Sequence, residues 1–177
     1  MKKLIVTTLF VFVMSIGAFA QRFAYVDSDY ILKHIPEYNA AQKQLDALST
    51  QWQKQVDDRF SDIEKMYKTY QSDQVLLTEE MRKRRENEII EKEKVAKEFQ
   101  RVKFGFEGEL FQQRSRLIKP IQDKVAKAVQ AVADAQQLDM IFDKNSEIML
   151  LYASPRLDKS NDVVTRLGYK PGVFVNN

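Results

Sequence analysis

The side chains that most often perform chemistry are scarce in this chain. His34 is its single imidazole and it has no cysteine, so the usual zinc ligand sets cannot be assembled, and neither a Ser-His-Asp nor a Cys-His arrangement has much to draw on. His34 lies beside Pro36 and reads as a structural or surface residue. No G-x-x-x-x-G-K-[ST] cradle for nucleotide phosphates is present. Carboxylates are plentiful, but they lie on charged helical stretches without a partner constellation of base, nucleophile or metal ligand. No catalytic, cofactor-binding or metal-binding residue is expected, and the chain reads as a protein that is not an enzyme.

The charge pattern narrows the partners. There are 28 basic and 25 acidic residues, for a formal net charge of +3. The densest basic run, Arg82-Lys83-Arg84-Arg85, is flanked by Glu79, Glu80, Glu86 and Glu88. A solvated helix face with intrahelical ion pairs explains that run better than a nucleic-acid surface, which is usually one-signed. At the amino terminus, Lys2 and Lys3 precede an apolar run from Leu4 to Met14 that ends in Ala18-Phe19-Ala20. This reads as a secretory signal peptide cleaved after Ala20. The run is short for a membrane span of ~20 residues, so stable membrane insertion is not expected. Without Lys2 and Lys3 the balance is 26 basic against 25 acidic residues.

The elements that must position everything else are helices. From Glu37 to Lys119 there is no proline, and glycine occurs only at Gly105 and Gly108. Apolar residues recur at helical spacing through Ala41, Leu45, Leu48, Trp52, Val56, Phe60, Ile63, Tyr67 and Tyr70, with a stutter from Leu48 to Phe60. A second seam is expected through Val95, Phe99, Val102, Phe106, Leu110, Leu117, Ile121, Val125, Ala128, Val132 and Ala135. Between the seams a turn is placed near 71–78, with Thr78, Glu79 and Glu80 as an acidic helix start. The ascending helix is then some 50 Å long, and the descending helix, Thr78 to Gln136, approaches ~90 Å. Pro120 predicts a kink near Arg116 to Lys119. Phe104, Phe106 and Phe111 read as packing around a joint at Gly105 and Gly108, and alanine at both glycines is expected to stiffen the descending helix.

Short strands are expected at Arg22–Asp27, Leu138–Asp143 and Ile148–Ala153, with a turn at Lys144-Asn145-Ser146 and a final helix from Ser160 to Leu167 closed by Gly168. Three such strands make too small a core to stand alone, so self-association is predicted. The fold class is α+β, mainly α: a long α-helical coiled-coil hairpin arm at 36–120 and a small β-sheet body formed by 21–35 and 121–177.

In this order of elements, with Phe23-Ala24-Tyr25-Val26-Asp27, Tyr30-Ile31-Leu32, the run Ile121 to Val129 and Asp139-Met140-Ile141-Phe142-Asp143-Lys144, the chain resembles the Skp/OmpH family of periplasmic chaperones. The resemblance implies a homotrimer whose arms enclose unfolded outer-membrane β-barrel precursors, in the periplasm, without ATP or cofactor and in cooperation with the barrel assembly machinery. It departs from the family's markedly basic arms, since residues 61–100 hold nine basic and ten acidic side chains, so a basic lipopolysaccharide site is not carried over. Tyr67, Tyr70, Val75, Leu76, Leu77 and Met81 cluster near the turn as candidates for client contact, with local packing as the competing explanation. Phe23, Tyr25, Ile141, Phe142, Leu150 and Tyr152 are candidates for the oligomer body. The alternative reading is a periplasmic coiled-coil adaptor of an envelope export assembly.

Overall fold

The computed structural model describes residues 22–146 and 151–174. The expected signal peptide and Leu150 lie outside them. The described chain divides into two compact units at Ile31/Leu32 and Val125/Ala126.

The first unit holds β1 (Phe23–Val26), most of α1 (Ser28–Lys33) and, from the far end of the chain, β2 (Met140–Asp143) and α5 (Ser160–Arg166). The two strands pair in parallel, Phe23 opposite Met140 and Val26 opposite Asp143. A parallel pair requires a long crossover, which the helices between them supply. Alternation along β1 turns Ala24 and Val26 inward and leaves Phe23 exposed and Tyr25 half-buried. On the other side of β1, Lys159 N–H donates to the Tyr25 carbonyl at 2.9 Å. Leu151–Ala153, the described part of the expected third strand, is not in a strand. The turn after β2 closes through Ser146 N–H to the Asp143 carbonyl. Gly168 ends α5 at φ 90°, and Gly168 and Tyr169 N–H groups cap the carbonyls of Thr165 and Val164.

The second unit is a helical hairpin. α2 (Pro36–Asp73) begins with proline in its first turn, where the missing N–H costs nothing. A 3₁₀ turn (Gln74–Leu76) leads to α3 (Glu79–Phe104). Thr78 caps α3 by accepting from Met81 N–H at 3.3 Å, and Glu79 and Glu80 stand in its positive first turn. Along α2, Ala41, Leu45, Val56, Ile63 and Tyr70 are buried, whereas Tyr67 falls outside the packed face.

The descending arm departs from expectation. It is two helices: α3 ends at Phe104, and α4 (Glu109–Gln136) runs without interruption through Pro120. The break lies at Gly105–Gly108, where Gly108 N–H donates to the Gly105 carbonyl and Glu107 takes φ 51°. Alanine at either glycine meets backbone in this conformation. A Cβ on Gly105 would lie 2.3 Å from the Arg101 carbonyl oxygen, and one on Gly108 would lie 2.9 Å from the Val102 oxygen. The break also resets the helical frame. Val125, Ala128 and Val132 of α4 are buried as the pattern predicts. In α3, however, the buried positions are Ile89 and Ala96, and Val95 and Val102 are exposed, as is Phe106 in the break. α2 thus packs twice: Ile63 and Tyr70 against Ile89 and Ala96, and Ala41 and Leu45 against Ile118.

Candidate functional site

At the connection between α2 and α3 the sequence-predicted contact residues separate into two groups. Tyr70 is buried, and Leu77 packs against the same cluster of Ile63, Tyr70, Ile89 and Ala96. The Tyr70 hydroxyl donates to Glu86, which favours the protonated phenol and pushes its pKa up. Arg82 Nε donates to the Gln74 carbonyl at 2.9 Å, tying the 3₁₀ turn to α3. Held on that frame, Val75 and Leu76 are more than four-fifths exposed, and Tyr67 and Met81 are exposed beside them. These four stand outside the described core, whereas Tyr70 and Leu77 pack into it.

The second cluster is at the break. Phe106 is 96% exposed and Phe111 is also exposed, contrary to their expected packing role, because the turn carries them off the α2 seam. With Leu45, Phe104 and Leu110 they line a hollow of about 490 Å³, rimmed by polar side chains that include Arg114. Nearby, Phe104 meets Trp52 edge to face at 6.4 Å. Lys103 lies 4.7 Å from the centroid of the Trp52 ring and pairs with Glu109 across the break. Arg59 sits over Phe99 at 4.4 Å. The Trp52 contact supports Phe104, one ring of the lining. The exposed phenylalanines were visible in the sequence, but only the position of the break reveals which way they face.

In the strand-bearing unit, four of the six body candidates converge. Phe23, Tyr25, Phe142 and Tyr152 line one apolar hollow of about 420 Å³, and the Phe23 and Phe142 rings are 6.4 Å apart. Ile141 is half-buried opposite Ala24 on the other face, and Leu150 lies outside the described residues. Behind β1 is a polar knot that composition alone does not display. Asp27 accepts from Lys144 Nζ at 2.6 Å, from Asn145 Nδ2 at 2.6 Å and from Tyr30 N–H at 2.9 Å. Its own N–H donates to Ser160 Oγ, which donates to Asp158 at 2.5 Å. Partial burial pushes the Asp27 carboxyl up, but the Lys144, Tyr30 and Asn145 hydrogen bonds outweigh it and hold the pKa below the ordinary value. The hydrogen bond to Asp27 raises that of Lys144.

The remaining charges are mostly local. Arg82 pairs with Glu79 and Arg85 with Glu88, three residues apart, as a solvated face requires. Among the described residues no cluster could hold a metal ion, and no helix is long and apolar enough to cross a membrane. His34 is fully buried with its ring 4.5 Å from Phe174.

Residues 22–167 match the family described as Outer membrane protein (OmpH-like). Among curated proteins none matches. A crystal structure from Caulobacter crescentus CB15, described as that of a candidate outer membrane chaperone (OmpH-like), superposes with a TM-score of 0.62 at 14% identity, covering 85% of this chain and 86% of the other. At that identity the likeness is one of fold.

Proposed function

This chain belongs to the OmpH-like family, and on that premise we propose that it is a periplasmic holdase, a chaperone that encloses unfolded outer-membrane β-barrel precursors and prevents their aggregation without ATP. The observation that supports this most directly is the set of large apolar side chains, Val75 and Leu76 at the α2–α3 connection and Phe106 at the α3–α4 break, standing in solvent. Unfolded barrel strands carry alternating apolar residues and unpaired backbone edges that aggregate in water. Many weak apolar contacts shield such a chain yet allow it to keep moving and to leave. In this reading the signal peptide is removed after Ala20, and Phe23, Tyr25, Ile141, Phe142, Leu150 and Tyr152 meet their counterparts in a homotrimer. Segment 36–120 of each copy is the arm, and Tyr67, Val75, Leu76 and Met81 touch the client. Release to the barrel assembly machinery completes the cycle.

The test is dilution of a urea-denatured outer-membrane barrel into buffer with and without the mature chain, followed by light scattering. Suppression of scattering at about three chains per client is expected. Scattering unchanged at any ratio would end the holdase reading.

A further inference from the structure

We propose that the hollow at the break between α3 and α4 is a subsite that seats one large apolar side chain, aromatic above all, of an extended unfolded polypeptide. The inference rests on the holdase reading and deepens it by naming a second contact point distinct from the α2–α3 connection. Leu45, Phe104, Phe106, Leu110 and Phe111 form the lining, and three phenyl rings around one space offer faces and edges to an incoming ring. At about 490 Å³ the space falls in the range of small-ligand pockets. It is too small for a helix, which with its side chains is about 10 Å across. The surface that lines it is also a small fraction of the ~800 Å² per partner that a stable contact with a second copy needs. The space exceeds one phenyl side chain and suits an extended chain that seats one large side chain together with its flanking backbone.

The rim supports the same occupant. Arg114 makes no ion pair among the described residues. A guanidinium beside an apolar hollow can stack on an aromatic ring and donate to backbone carbonyls. Those are the two groups that an unpaired strand brings together: a large side chain at every second position and carbonyls without partners. The rim also carries Ser49, Gln42, whose Nε2 donates to Asp46 at 3.0 Å, and the acidic residues Asp46 and Glu107, whose carboxylates can accept from the N–H groups of the same strand.

The experiment uses the full mature chain and a urea-denatured outer-membrane barrel as probe. A photoreactive phenylalanine analogue at position 106 should crosslink to the client within aromatic-bearing strand segments. The variant Phe106→Ser with Phe111→Ser changes exposed positions, and its helical circular dichroism should match the wild type. It should release the client about tenfold faster, equivalent to ~1.4 kcal/mol. If the wild type fails to suppress aggregation, the holdase reading falls and takes the subsite with it. If the wild type holds the client but the double variant releases it at the same rate, or position 106 crosslinks only to another copy of the chain, the subsite is overturned and the holdase reading survives.

Discussion

The strand-bearing unit and the helical hairpin are held together by different kinds of contact. The hairpin rests on repeated apolar pairs such as Ile63 with Ile89 and Ala41 with Ile118, supplemented by ion pairs three or four residues apart. Each contact is replaceable by its neighbours. In the strand-bearing unit, single groups join segments from opposite ends of the chain: Arg22 N–H to Asp139, Asp27 to Lys144 and Asn145, Asp27 N–H to Ser160. The difference teaches where the chain tolerates change. The hairpin can vary along a repetitive seam, while the strand-bearing unit depends on a few side chains that join distant segments.

The sharpest test of that contrast is Ile31→Ala. Ile31 is fully buried in the strand-bearing unit, and its truncation should cost ~2–5 kcal/mol. Urea unfolding at fixed protein concentration measures it. A smaller loss than that of Ile63→Ala, on the hairpin seam, would invert the comparison. Next is Gly105→Ala, which brings a methyl group into the Arg101 carbonyl and should cost ~1–3 kcal/mol through displaced backbone. Thermal unfolding by circular dichroism reads it, and an unchanged or raised midpoint would show that the break relaxes into helix. The smallest effect concerns pH. Asp27 is held below its ordinary 3.8, so its stabilisation is present above that value and is lost as pH falls through the lower folded value. Lys144 is held above 10.5, so its part is present below 10.5 and is lost as pH rises through the higher folded value. Asp27→Asn should lower stability by ~1 kcal/mol over a plateau from about pH 5 to 9, and the gap to wild type should narrow on the acid side. A gap that persists at pH 2 would remove the ionised carboxylate from the explanation.

Much of this architecture is legible in residue types. Alternation marks Phe23–Val26, Thr78 before two glutamates marks a capped helix start, and Gly168 marks a helix end, because each depends only on near neighbours. The α3 seam was misplaced for the opposite reason. A period carried backwards from Val125 through Leu110 assumes an unbroken helix, and the turn at Gly105–Gly108 changes the rotational frame, so that Ile89 and Ala96 are buried in place of Val95 and Val102. At Pro120, by contrast, α4 continues as one helix. Exposure at Phe106, and hence the hollow, follows from that same turn and could not be read from spacing. The Asp27 knot was hidden too, because its members are ordinary polar residues brought together only by the parallel pairing of β1 with β2.

That pairing has a consequence for how far such a protein can reach. The bond from Arg22 to Asp139 closes a loop across 117 residues, and the entropy of closing a loop grows only with the logarithm of its length. Doubling it would add ~0.6 kcal/mol. A heptad added to α2 and another to α3, in register, lengthens the hairpin by about 10 Å while changing the closure term by a small fraction of that amount. Reach and foundation are therefore almost independent variables in this architecture. Hairpins of different span are compatible with the same strand pair, because the pairing of Phe23–Val26 with Met140–Asp143 is closed at nearly the same entropic cost.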